Sequence, residues 1–217
     1  MYETILFDLD GTITVSEYGI IDSVKYALEK FGIVEQDEES LLRFIGPPLY
    51  YSFTHFYGMN HEDAESAVAY YREIYETENY KKSPLYDGIR DVIQELYEQG
   101  KDLYVVTAKP MDTSKDVLSY NDLYQYFKGI YGPSREVHTV DKSQLIMKLL
   151  NEHHIQDKSK VLMMGDRHYD VKGASDIGVT AVGAVYGYGS REELLENGAD
   201  YIAEKPMDLL NIIEERA

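Results

Sequence analysis

Two pairs of aspartates carry most of the chemistry that can be read along this chain. The first lies in Phe7-Asp8-Leu9-Asp10-Gly11-Thr12. Residues two apart on a strand point to the same side, so Asp8 and Asp10 share a face. Close carboxylates raise one another's pKa unless a cation lies between them. The pair therefore suits holding a metal or dividing a nucleophile from an acid, and a loop cap is the plain alternative. The second pair lies in Gly165-Asp166-Arg167-His168-Tyr169-Asp170. Asp166 and Asp170 are four apart, one helical turn if a helix starts there; Asp166 could equally be an N-cap. Carboxylates gathered at one sheet edge need a divalent ion or protonation. Oxygen donors, no cysteine and no paired histidine in these motifs favour Mg²⁺ over zinc.

Two further positions could serve an anion. Thr107, in Val106-Thr107-Ala108-Lys109-Pro110, stands where a strand gives way to a helix, so its hydroxyl and the following N–H groups can face a ligand. Lys142, in Asp141-Lys142-Ser143, stands at a helix start, where the helix dipole disfavours a cation. It is either solvated there or held by a ligand phosphate or a carboxylate cluster.

The elements that must position these residues follow from apolar patterning. Five short apolar runs, 4–9, 102–107, 129–132, 160–165 and 180–186, read as buried parallel strands. Helical spacing fills 88–99, 111–120, 142–153 and 169–177, and Gly100 signals a C-cap. Strand and helix alternate, so the fold class is α/β with a Rossmann-like parallel sheet, and its chemistry-bearing residues fall at strand carboxyl ends, where such sheets bind ligands. About ninety residues separate the first two strands, far more than one crossover needs. That stretch reads as helices over 20–31, 37–45 and 62–78, with breaks at Gly46-Pro47-Pro48 and Gly58-Met59-Asn60, and Asn60 as an N-cap. The expected organisation is an α/β catalytic core of residues 1–15 and 81–217 with a small α-helical cap, residues 16–80, inserted after strand one. Hinges are expected near 15–18 and 81–84.

Composition bounds the partners. The chain has 217 residues, 21 basic and 39 acidic, for a formal net charge of -18. That surface repels nucleic-acid backbones and anionic membranes, so neither a nucleic-acid polymer nor a membrane is expected as a partner. A phosphorylated substrate needs a local positive centre. The chain has no cysteine, so disulfides and thiolate zinc sites are excluded. It opens without a basic leader and has no apolar run long enough to span a bilayer, so a cytoplasmic location is expected. The 21 tyrosines are read as aromatic packing at helix surfaces and between lobes.

In order, spacing and strand-end placement, Asp8-Leu9-Asp10-Gly11-Thr12, Thr107, Lys142 and Gly165–Asp170 resemble the four motifs of the haloacid dehalogenase-like hydrolase superfamily. The likeness covers essentially the whole chain. Within the superfamily it looks most like the phosphoglycolate phosphatase and 5'-nucleotidase-like group, on Phe44-Ile45-Gly46-Pro47-Pro48-Leu49, Tyr71-Arg72, Leu85-Tyr86-Asp87-Gly88-Ile89, Thr107-Ala108-Lys109-Pro110 and Tyr186-Gly187-Tyr188-Gly189-Ser190. The resemblance implies a Mg²⁺-dependent hydrolase of a small phosphate ester. Asp8 is then the nucleophile and Asp10 the general acid and base. Asp8, the Asp10 carbonyl and Asp166 surround the metal, Asp170 ligates through water or orients Lys142, and Thr107, Ala108 and Lys142 hold the phosphoryl oxygens. An acid at position 10 sets the chain apart from dehalogenases of the superfamily, whereas sugar phosphomutases share the core motifs. A phospho-receiver module shares the acidic pocket but lacks the long insertion and the second aspartate. One departure is Val15, where the group often has an acidic residue. For substrate selection the expected residues are Arg43, Gly46 and Pro47 in the break between two helices, and Arg72, for which a local pair with Glu76 is the alternative.

Overall fold

The structure, a computed structural model, describes residues 1–135, 137 and 140–215. Six parallel strands form one sheet: β1 (Thr4–Phe7), β2 (Asp102–Val106), β3 (Gly129–Tyr131), β4 (Val161–Gly165), β5 (Thr180–Ala184) and β6 (Tyr201–Ala203), in the order β3-β2-β1-β4-β5-β6. β1 is central, with Leu6 in register with Tyr104 of β2 and Met163 of β4. All four residues of β1 and all five of β4 are buried, because helices cover both faces of the sheet. One apolar cluster, including Phe7, Val105 and Met164, lies on one face, and another, including Leu6, Val106 and Met163, on the other.

Ten α-helices are described. Five lie between β1 and β2, and the first four form the insert: α1 (Glu17–Glu29), α2 (Glu38–Leu42), α3 (Leu49–Tyr57) and α4 (His61–Tyr75). They close on a third apolar cluster of their own, with Leu28, Leu41, Phe44, Phe53 and Val68 at its centre. Asn60 caps α4, its side chain accepting from the Asp63 N–H at 2.9 Å. The rest, α5 (Ile89–Glu98), α6 (Met111–Tyr120), α7 (Lys142–Glu152), α8 (His168–Ser175), α9 (Arg191–Glu196) and α10 (Asp208–Glu214), flank the sheet. The two passages between sheet and insert run side by side: Val15 N–H donates to the Pro84 carbonyl at 2.8 Å and Tyr86 N–H to the Ile13 carbonyl at 3.1 Å. Among the described residues no helix is long and apolar enough to cross a membrane.

Three sequence expectations need correction. The sheet has a sixth strand, β6, which the apolar pattern did not show because it is three residues long between Asp200 and Glu204. The helix expected over 37–45 is regular only at Glu38–Leu42; Phe44 and Ile45 donate three residues back, to Leu41 and Leu42, and the chain tightens before Gly46. β1 ends at Phe7, so Leu9 belongs to the following turn, where its carbonyl accepts from Ile13 and Thr14.

Candidate active site

Everything the sequence marked on the core motifs comes together at the carboxyl ends of β1, β2 and β4. Asp8 follows β1, and its N–H donates to the Met164 carbonyl at 2.9 Å, which ties it to β4. The chain then turns tightly through Gly11, whose φ is +87°; a side chain there would run into the Asp166 carboxylate. Asp166 follows β4. Its Oδ1 accepts from the Thr12 hydroxyl at 3.3 Å and its Oδ2 from the Tyr188 N–H at 2.9 Å. Asp170, in the first turn of α8, accepts the Arg167 N–H at 3.1 Å. Carboxylate oxygens of Asp8, Asp166 and Asp170 all lie within 4.8 Å of one another.

Lys142 opens α7, where Asp141 caps the helix by accepting from the Ser143 N–H at 2.9 Å. Its ammonium lies 2.8 Å from Asp8 Oδ1 and 2.6 Å from Asp170 Oδ1, and donates to the Val106 carbonyl at 2.8 Å. The carboxylate cluster thus answers the unfavourable placement of a cation at a helix start. Burial alone pushes this ammonium down; Asp170 and Asp8 outweigh it and hold it above the usual lysine value. Asp8 moves up from 3.8 to about 6, chiefly through burial and further through Asp170, against the pull of Lys142. Asp166 is driven well above the usual carboxylate range by burial, Asp170 and Asp8. Three buried carboxylates face one ammonium, so their full ionisation would leave two negative charges that the cluster's own cation does not balance. Oxygen donors in that arrangement fit a hard divalent cation.

Asp10 is held apart from this cluster. Its Oδ2 pairs with Lys109 at 2.7 Å, and both side chains are nearly buried. The Lys109 ammonium also lies 4.7 Å from the Tyr75 ring of α4. Thr107 is buried and its hydroxyl accepts the Lys109 N–H at 3.2 Å. Ala108 lines two cavities, both of which the Gly46-Pro47-Pro48 segment also lines.

Two residues at the site went unassigned in the sequence. Lys109 is one; the sequence marked it only as part of the Thr107-Ala108-Lys109-Pro110 run that carries the closer resemblance, as it marked Tyr188 within Tyr186–Ser190, without giving either a role. Tyr188 is the other. Its hydroxyl accepts from the Ser16 and Glu17 N–H groups, at 3.1 Å each, and so caps α1 in place of Ser16, whose own buried hydroxyl makes no hydrogen bond. A side chain at Gly187 would collide with Gly11 and Asp166, which keeps this loop against the site. Of the insert residues, Gly46, Pro47 and Arg72 line the smaller cavity, and Gly46 and Pro47 also the larger. Arg72 donates to the Arg135 carbonyl at 2.7 Å; Glu76 pairs with Arg135 at 2.8 Å, not with Arg72 as the helical spacing had suggested. Arg43 is not brought to either cavity. It is exposed, with its guanidinium 4.8 Å over the Phe56 ring.

A parallel sheet with a buried lysine paired to carboxylates and an acidic triad at its strand ends is an arrangement suited to phosphoryl transfer. The family model described as haloacid dehalogenase-like hydrolase matches residues 5–184. A 5'-nucleotidase from Pseudomonas aeruginosa is 39% identical over 193 residues, 89% of this chain and 87% of that protein. The pyrophosphatase PpaX from Anoxybacillus flavithermus is 30% identical over 211 residues, 97% of this chain and 96% of that protein. Among solved structures, that of a predicted phosphatase from Clostridium acetobutylicum superposes with a TM-score of 0.92 at 39% identity, over 99% of each chain. The chain belongs to the haloacid dehalogenase-like hydrolases, and within them it is a phosphatase.

Proposed function

We propose that the chain is a Mg²⁺-dependent phosphomonoesterase that works through an aspartyl-phosphate at Asp8, on a small phosphorylated metabolite of the 5'-nucleotide or phosphoglycolate kind. The observation that carries this reading is the separation of the two motif carboxylates: Asp8 belongs to the Lys142, Asp166 and Asp170 cluster, while Asp10 is turned away to Lys109. That division supports two different roles for them. Asp8 attacks phosphorus, and the ester oxygen leaves with the proton that Asp10 donates. Asp10 then takes a proton from the incoming water, which attacks the phosphorus and frees Asp8 and inorganic phosphate. Lys142, the Thr107 hydroxyl and the Ala108 N–H receive the phosphoryl oxygens. Lys142 also keeps Asp8 charged against its burial, as a nucleophile requires, and Asp170 orients Lys142 at 2.6 Å.

Asp8, Asp166, Asp170 and the Asp10 carbonyl would hold the Mg²⁺, which supplies positive charge beside the phosphoryl group. Helices α1–α4, within residues 16–80, serve as a cap over the site, hinged where Val15 and Pro84 pair, and exclude water before the intermediate forms. The protein then acts on a small molecule, without nucleic acid or membrane.

Phosphate release from p-nitrophenyl phosphate tests the reading. Mg²⁺ should support turnover, chelation with EDTA should abolish it and added Mg²⁺ restore it. Asp10→Asn should lower kcat by about 10²–10⁴ for esters with poor leaving groups, and less for p-nitrophenol, which leaves without a proton. Full activity after exhaustive chelation, or an Asp10→Asn loss equal for all esters, ends the assignment.

A further inference from the structure

The two carboxylate oxygens of Asp10 have different surroundings. Oδ2 lies 2.7 Å from the Lys109 ammonium, and the two side chains are only 12% and 7% exposed. Oδ1 is buried and has no hydrogen-bond partner. Asp10 and Lys109 both line the smaller cavity, of about 90 Å³, together with Tyr71, Tyr75 and Ala108. The larger, of about 410 Å³, is lined without Asp10.

Lys109 is itself held from two sides. Its backbone N–H donates to the Thr107 hydroxyl at 3.2 Å, which ties it to the end of β2. Its ammonium lies 4.7 Å from the centre of the Tyr75 ring, within cation–π range. That ring is 1% exposed and stacks on Tyr71 at 5.2 Å and 14°. It also packs closely on α1, since a side chain at Gly19 would touch it. Burial pushes the Lys109 ammonium down, but Asp10 and Tyr75 outweigh burial and keep it charged. The two arginines of the cavity are engaged elsewhere: Arg135 pairs with Glu76 and Asp112, and Arg72 donates to the Arg135 carbonyl.

We infer that Lys109 is a positioning residue for Asp10: seated by Tyr75 of the helical insert, it anchors Oδ2 and leaves Oδ1 as the one oxygen that passes protons. The inference rests on the phosphatase reading above and deepens it, by naming what aims the acid of that reading. An unanchored carboxylate turns readily about its terminal torsion, and proton transfer needs a fixed reach. As the bond from Asp8 to phosphorus forms and the ester P–O bond breaks, the Oδ1 proton moves to the leaving oxygen. Lys109 then balances the charge that Asp10 is left with. Tyr75 lies on α4 and Lys109 in the core, so the anchor is complete only with the insert seated as it is here.

Phenyl phosphate and p-nitrophenyl phosphate share their ring and their charge, but phenol leaves far less readily without a proton. Their kcat/KM values report the step in which the leaving oxygen departs. Lys109→Met keeps the length of the side chain without its charge. It should lower kcat/KM by about 10–10² for phenyl phosphate and by less than about threefold for p-nitrophenyl phosphate. The double variant Asp10→Asn/Lys109→Met should be no slower on phenyl phosphate than Asp10→Asn alone, since Lys109 acts through Asp10. Retained turnover of p-nitrophenyl phosphate shows that Lys109→Met is folded. Should it not fold, Tyr75→Leu, which leaves both charges in place, decides instead, with an expected loss of about threefold to tenfold confined to phenyl phosphate. No loss, a loss equal for the two esters, as a residue that only binds phosphate or supports the fold would give, or multiplying losses in the double variant overturns the inference and leaves the phosphatase reading standing. An Asp10→Asn loss equal for the two esters defeats the acid assignment of that reading instead.

Discussion

Asp8→Asn should make the metal-free protein more stable at neutral pH, even as it removes the proposed nucleophile. Asp8 is 5% exposed and stands among Asp166, Asp170 and Lys142. Burial and Asp170 outweigh Lys142, so its pKa rises from 3.8 to about 6 in the folded protein. The sign follows from linkage. A carboxyl whose pKa rises on folding binds its proton more tightly when folded, so it favours the folded state below its unfolded pKa. That advantage is lost as pH climbs from about 4 through about 6. At about 1.4 kcal/mol per pH unit, the ionised Asp8 costs the metal-free fold about 3 kcal/mol relative to its neutral form. Asparagine mimics that neutral form and still accepts from Lys142. Removing the Asp8 charge also relieves Asp166, which Asp8 helps to raise.

The assay is thermal or urea unfolding of both proteins in EDTA from pH 4 to pH 8. The two should be nearly equal at pH 4. By pH 8 the variant should lead by about 3 kcal/mol, or about 6–12 °C in Tm for a chain of this size. Other carboxyls held low by their neighbours, such as Asp141 and Glu193, titrate alike in both proteins and cancel in the difference. Saturating Mg²⁺ should stabilise the wild type and close or reverse the gap, since it binds the folded acidic cluster. A gap that is independent of pH, or an Asp8→Asn protein less stable than wild type at pH 8 in EDTA, refutes the electrostatic account of the cluster.

Lys142→Ala should abolish turnover and destabilise the protein by about 3–5 kcal/mol near pH 8 without metal, because it strands Asp8 and Asp170; Lys160→Ala, which breaks only an exposed pair with Glu3, should leave kcat unchanged, and equal kinetic effects from the two would count against Lys142. Tyr188→Phe removes the acceptor for the Ser16 and Glu17 N–H groups and should cost about 1–3 kcal/mol in urea unfolding; an unchanged midpoint means that Ser16 takes over the cap.

The sheet could be read from the sequence because its strands are buried on both faces and appear as unbroken apolar runs, as in Leu103–Val106 of β2 and Leu162–Met164 of β4. β6 escaped because an edge strand of three residues flanked by acids leaves no such run. In the helical insert, Asn60 and the Gly46-Pro47-Pro48 break announced boundaries through local backbone chemistry, and the structure places helices on both sides of that break. The regular part of α2 was overestimated because the apolar spacing of Phe44 and Ile45 continues past the last helical turn. Apolar periodicity reports which side chains face a core; it does not report whether the backbone closes four-residue or three-residue turns.

The same divide runs through the site. Asp8, Thr107, Lys142, Asp166 and Asp170 could be picked out because each stands at a strand end or helix start, and strand order then forces those ends together. What the sequence withheld are pairings that only tertiary contact creates. Lys109 meets Asp10 across 99 residues, and Tyr188 reaches Ser16 across 172. Arg43, singled out for charge and position, spends its guanidinium on Phe56 instead. These pairings also answer the puzzle of a chain of net charge -18 that handles phosphate. Lys109 and Lys142 are buried beside the aspartates they serve, so neither contributes much to the field at long range. The surface remains repulsive to polyanions, and the positive charge acts at contact, where a small ester that has entered the cleft can meet it.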